Sequence, residues 1–159
     1  LKALADEIQG ARSTIYEYFA NKEEIVAACM RRKMENVLES LMLILSLEPV
    51  EAIKKMLVIF MKHAHFRTLM LAAPQKDQVS SANAKNDLMA LERLHEELKN
   101  HMTRLFARAQ EAGKLRKDIP LPMIVAVFFH AIETPNWLGL PHDEFAEKLF
   151  NLWWNGGRT

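Results

Sequence analysis

Gly10-Ala11-Arg12-Ser13-Thr14-Ile15-Tyr16-Glu17-Tyr18-Phe19, followed after one alanine by Asn21-Lys22-Glu23-Glu24-Ile25, is the stretch on which the reading of this chain turns. Upstream of it, Leu1, Leu4, Ala5 and Ile8 repeat at i, i+3, i+4 and i+7, the spacing of one helix face. Gly10 stops that helix, because glycine accepts the backbone geometry of a helix end. A second short helix reads from Arg12 to Phe19. Asn21 is a good N-cap for a third, and Glu24 stands where the acid of a capping box belongs. Two short helices around a tight turn, with a long helix behind them, form the geometry of a helix-turn-helix reader.

Working outward, Met30, Met34, Val37, Leu38, Leu41 and Leu45 extend the third helix as a stripe to Leu47. Glu48-Pro49 breaks it, and proline suits the first turn of the next helix, Val50 to Ala64. Residues 65–73 continue that helix or form a short one, and 74–83 read as a polar loop. Leu88, Leu91, His95, Leu98, Met102, Leu105 and Ala109 then step by alternating threes and fours, a heptad-like seam ending at Ala112-Gly113. After Asp118-Ile119-Pro120 a helix is expected from Leu121 to Trp137, apolar on more than one face and therefore buried on more than one side. A last helix opens at His142 or Asp143. No strand pattern and no repeat occurs. The fold class is all-α, with a helix-turn-helix region and its connecting helix over 1–47 and a helical bundle over 48–159.

Composition sets bounds. The 159 residues are half apolar, with five glycines and a net charge of +1. Lys2, Arg12, Lys22, Arg31, Arg32 and Lys33 are matched by Asp6, Glu7, Glu17, Glu23, Glu24 and Glu35, so DNA recognition must rest on local arrangement. The single cysteine, Cys29, rules out an internal disulfide and fits a reducing cytoplasm. Apolar runs are too short to span a bilayer, so no membrane role is expected. The chain opens at Leu1, inside a helical pattern, and a preceding segment is expected.

The block Thr14-Ile15-Tyr16-Glu17-Tyr18-Phe19 with Lys22-Glu23-Glu24-Ile25 in register resembles the signature of the TetR family of transcriptional regulators. Gly113-Lys114-Leu115-Arg116-Lys117-Asp118 is similar to that family's link into its penultimate helix. The departures are Gln9 in the usual glycine slot, Ala11 where a capping Ser or Thr is common, and Glu17 on the reading helix. The family's first helix is missing from the sequence. In such a reader, Arg12 can pair with guanine or phosphate, and Ser13 and Thr14 can bond base edges. Tyr16 and Tyr18 place hydroxyls at the backbone, and Lys22 stands at a helix N-terminus suited to phosphate. The resemblance implies that Lys2 also touches DNA.

The resemblance further implies that the region from Val50 onward binds a small-molecule effector and dimerises. Candidates for the effector pocket are Phe66, Met70, Met89, His95, Met102, Phe129, Glu133 and Trp137, a methionine- and aromatic-rich set with two polar groups. Ordinary core packing is the alternative for each. The last two helices carry more large apolar side chains than one chain easily buries, and Phe128, Phe145, Leu149, Leu152 and Trp153 are expected at a symmetric homodimer interface. That dimer would set two reading helices about 34–36 Å apart, matching a palindromic operator in double-stranded DNA.

Enzymatic readings fare poorly. His63 and His65 diverge on a helix, and His95 and His101 lie off one face. No nucleophile elbow, glycine-rich phosphate loop or His-Glu-x-x-His occurs. His130 and Glu133 share a face but lack a second pair, so no cofactor, metal or catalytic residue is expected. Two main readings stay open: a ligand-responsive regulator, or an all-α ligand-binding or interaction protein that keeps the shape without reading DNA. A metal-dependent helical enzyme is the third.

Overall fold

The computed structural model describes residues 21–63 and 77–157. Within them lie five helices and no strand: α1 (Lys22–Met42), α2 (Pro49–Lys62), α3 (Ala82–Glu111), α4 (Leu121–Ile132) and α5 (His142–Gly157). The two short helices expected before Asn21, and the segment expected over 65–73, lie outside the described residues.

α1 starts as its sequence predicts. Asn21 is extended, and its side-chain oxygen accepts the Glu24 backbone N–H at 3.0 Å. Ile25, Met30, Met34, Val37, Leu38 and Leu41 are buried along one stripe. The helix ends at Met42 rather than Leu47. Beyond it the chain tightens into turns, with Ile44 N–H donating to Leu41 O at 3.0 Å and Leu47 N–H to Ile44 O at 3.1 Å. Two causes act together. Pro49 holds Glu48 out of the helical region, and the Arg108 guanidinium takes the Leu45 and Leu47 carbonyls at 2.5 and 3.2 Å.

Glu48 then caps α2, its carboxylate accepting the Val50 and Glu51 N–H groups at 2.9 and 3.2 Å. The 30-residue α3 is capped by Ser81, whose Oγ accepts the Ala84 N–H at 3.3 Å. It closes at Gly113, where φ is +69°, a value glycine tolerates best. The Lys114 and Gly113 N–H groups return to the Ala109 and Gln110 carbonyls at 2.9 and 3.0 Å.

α1 and α3 lie side by side in the same direction. Glu24 meets Ser81 and Asn83, Arg31 pairs with Asp87 at 3.3 Å, and Leu45 meets Arg108. α2, α4 and α5 close the other side of α3, with Lys54 of α2 paired to Glu147 of α5 at 3.0 Å. The core there is aromatic. Phe106 lies edge-on to Phe128 at 5.1 Å and to Trp153 at 6.0 Å, and Phe128 meets Trp153 at 5.2 Å.

α4 stops at Ile132, not at Trp137. Pro135 lacks the N–H a helix needs and disfavours helical geometry at Thr134. Asn136 then holds the following loop, donating to Leu140 O at 2.7 Å and accepting Leu140 N–H at 3.1 Å. Trp137 and Leu138 project from it, exposed. Ile124, Phe128 and Ile132 face the core, whereas Met123 and Val127 remain exposed, so within one chain only one side of α4 is covered.

Candidate functional site

The residues singled out by sequence fall into three regions. Of the DNA-reading set, Lys2, Arg12, Ser13, Thr14, Tyr16 and Tyr18 lie outside the described residues. Lys22 is exposed at the first position of α1, beside backbone N–H groups that a helix start leaves without intrahelical partners. Its neighbours Glu23 and Glu24 are engaged with the start of α3. The Glu23 carboxylate accepts the Ser80 N–H and Oγ at 3.2 and 3.4 Å. Glu24 accepts from Ser81 Oγ and from Asn83 Nδ2. The sequence gives Glu24 a local capping role; the contact across 57 residues carries no local signal.

The effector candidates among the described residues are not gathered into one cavity. Phe66 and Met70 lie outside the described residues. Met102 is buried in the core, and Phe129 is half-buried, 5.8 Å from Phe60 and 6.0 Å from Phe128. Met89, His95, Glu133 and Trp137 are exposed, which corrects the expectation that they face inward. His95 interrupts the seam because an imidazole buried without partners would be costly; Leu88, Leu91, Leu98 and Met102 keep the seam on either side. Glu133 sits past the end of α4, 3.4 Å from His130 Nδ1. Trp137 is carried outward by the turn that Pro135 and Asn136 impose.

Two residues at the end of α2, Phe60 and His63, join these without having been singled out as effector candidates. His63 follows the last residue of the helix. Its Nδ1 is buried and has no hydrogen-bond partner among the described residues. Burial, then the charges of Lys33 and Lys62, hold its pKa below the ordinary value. A neutral imidazole with a spare ring nitrogen can bond a polar ligand group. Among the described residues no group of three metal-ligating side chains occurs.

The third region is an open apolar groove of about 530 Å³ between α4 and α5. Met123, Val127, His130 and Thr134 supply one wall, and Leu149, Leu152, Trp153 and Gly156 the other. Met123, Val127 and Leu152 are 58%, 53% and 76% exposed, so three large apolar side chains lie open on one face. Of the expected interface residues, Leu149, Leu152 and Trp153 are here. Phe128 is not: it is fully enclosed between Phe106 and Trp153 and has no surface to offer a second chain. Phe145 is half-buried against the core and is not part of the groove wall. Met123 and Val127 are legible as apolar helix positions, but the sequence does not show which side of α4 faces outward.

Comparisons with known proteins bear on the whole arrangement. The family profile described as "Transcriptional regulator SbtR-like, C-terminal domain" matches residues 54–158. No curated protein sequence matches the chain. Among solved structures, the chain is similar to the ketosteroid transcriptional regulator KstR2 of Mycobacterium tuberculosis. The TM-score is 0.71 at 14% identity, over 98% of this chain and 82% of that one. A TetR transcriptional regulator from Streptomyces coelicolor gives 0.65 at 24% identity, over 99% and 86% of the two chains. The TetR family regulator PfmR from Thermus thermophilus gives 0.63 at 20% identity, over 96% and 85%. Identities this low speak to the fold alone.

Proposed function

Because the chain belongs to the TetR family of transcriptional regulators, a family of regulators rather than enzymes, we propose that it is a ligand-responsive repressor that binds a palindromic operator as a homodimer and is released by a small molecule. In this reading residues 1–47 carry the reading head and its connecting helix, and 48–159 carry effector binding and dimerisation.

One observation carries the DNA-binding part: Arg12, Ser13, Thr14, Tyr16 and Tyr18 stand in register with Lys22, which is exposed at the start of α1. The N-terminal residues of a reading helix meet base edges, and a lysine at the next helix start meets phosphate. Lys2 adds a further backbone contact. The open apolar face of α4 and α5 supports dimerisation, because a second copy would cover Met123, Val127 and Leu152 by a two-fold operation. On the effector side, Met102 and Phe129, with Phe60 and His63, are the described residues we assign to the ligand-facing region, beside Phe66 and Met70 in the sequence. Among the described residues no helix is long and apolar enough to cross a membrane. A repressor bound to its operator acts in the cytoplasm.

Effector binding would shift a two-state dimer toward the form whose heads no longer match the groove spacing, with α1 as the lever. The test is fluorescence anisotropy with double-stranded DNA from immediately upstream of the protein's own gene, titrated at several salt concentrations. Specific binding that Arg12→Ala with Tyr16→Ala abolishes is the expected result. Absence of specific binding at low salt by the full-length protein would overturn the reading in favour of a family-shaped ligand-binding protein.

A further inference from the structure

Glu24 is the one buried polar or charged residue among the described residues, 6% exposed. Its carboxylate is surrounded by donors from a distant part of the chain: Ser81 Oγ, and Asn83 Nδ2 at 3.4 Å. Glu23 makes a parallel contact on the exposed side, accepting Ser80 N–H and Oγ. Both carboxylates therefore sit at the N-terminus of a 30-residue helix, where partial positive charge favours them. Ser81 serves both partners at once, donating to Glu24 and capping Ala84. Bonds to an ionised acceptor are stronger than neutral ones, and burying this carboxylate without them would be costly.

The place of this latch in the chain gives it a task. Lys22 is the residue before Glu23, and the block from Arg12 to Tyr18 ends four residues before Lys22. On the other side, residues 77–81 follow directly on the stretch that carries Phe66 and Met70. Val79, in the middle of that approach, is buried, so Ser80 and Ser81 are held by the core. We infer that Glu23 and Glu24, with Ser80 and Ser81, are positioning residues for operator reading. They hold the start of α1 against the start of α3, and so fix the point from which Lys22 and the block before it are presented to DNA. They touch no DNA themselves. The inference rests on the DNA-binding reading above.

The test uses the full-length protein and two palindromes derived from its own upstream DNA, one native and one with half-sites moved apart by two base pairs. Wild type is expected to prefer the native spacing. The Glu23→Gln, Glu24→Gln double variant leaves Ser81 free to cap α3. It is expected to keep its dimer and to stay folded at the assay temperature, with a melting temperature lowered by several degrees. Its affinity for the native spacing should fall at least about tenfold, and its preference between spacings should fall by a similar factor. Ser81→Thr, which keeps the hydroxyl, should behave as wild type. If the double variant does not fold, Ser80→Ala with Glu23→Gln opens only the exposed half of the latch and should show the same loss of spacing preference to a smaller degree. A folded variant with wild-type affinity and spacing preference overturns the inference. Wild type that binds neither palindrome overturns the DNA-binding reading instead, so the two failures are told apart.

Discussion

Leu152→Glu places a carboxylate on the most exposed apolar side chain of the groove between α4 and α5, and its effect on dimerisation can be sized from the fold. Full burial of a leucine side chain is worth about 1.5–3 kcal/mol. In the single chain Leu152 keeps 76% of its surface open, so pairing recovers about 1–2 kcal/mol from it. Two-fold symmetry counts that contribution twice, giving about 2–4 kcal/mol per dimer, or roughly a hundredfold in the dissociation constant. This is a floor, because each glutamate must also be desolvated or must hold the interface apart. The fold of each chain should be unaffected, since Leu152 contributes nothing to the packed core. Sedimentation equilibrium measures the association, and a circular dichroism melt checks the fold. A variant that dimerises within about threefold of wild type would refute the assignment of this face. So would a wild-type chain that sediments as a monomer at the concentrations at which it binds DNA.

Three further outcomes follow from the same structure. Phe106→Ala removes a fully enclosed ring in edge-on contact with Phe128 and Trp153, and should cost about 3–5 kcal/mol, read as a lowered urea midpoint. Lys22→Ala should weaken binding evenly across DNA sequences and reduce the slope of log affinity against log salt by about one, measured by anisotropy. His63 should make stability depend on pH. Burial and the neighbouring lysines lower its folded pKa, so the folded state favours the neutral ring. That contribution is present above the ordinary value of 6.5 and is lost as pH falls through the lower folded value. Urea midpoints across that window should fall toward acid in wild type and flatten in His63→Gln.

The parts of the fold written in short-range patterns are readable. Asn21 and Gly113 mark helix ends because each satisfies a backbone need within four or five residues. The stripe from Met30 to Leu41 is periodic because its main neighbour, α3, runs alongside and covers it. Whatever depends on a distant partner is not. Sequence shows that Phe128 and Val127 are both apolar; only the packing of Phe106 and Trp153 decides that Phe128 is inside. The expected end of α4 falls too late because the apolar run continues past Ile132, yet Pro135 outweighs it. Glu24 reads as a local cap residue, and the serine it holds, Ser81, lies 57 residues on. His95 misleads for a related reason: spacing puts it on the seam, but the cost of burying an imidazole keeps it in water.

The joint between α1 and α3 limits how α1 can move. The two helices run in the same direction and are pinned at both ends, by Glu24 with Ser81 and Asn83 at the start, and by Arg108 with the Leu45 and Leu47 carbonyls at the finish. Between the pins, Met30, Met34, Val37, Leu38 and Leu41 are buried. Sliding α1 along α3 by a turn would unseat that whole stripe, at about 1.5–3 kcal/mol for each side chain exposed, and would break both pins as well. Opening one pin loses only a few hydrogen bonds, at about 1–3 kcal/mol each where a charge is involved. The cheaper motion is therefore a swing of α1 about its buried stripe. Arg108 grips the turn that leads into α2, whereas Glu23 and Glu24 adjoin Lys22 and the reading block. A swing that opens at the serine end moves the start of α1, and with it Lys22, while leaving the stripe from Met30 to Leu41 in place, and this is the kind of two-state element that a modest difference in ligand affinity can bias.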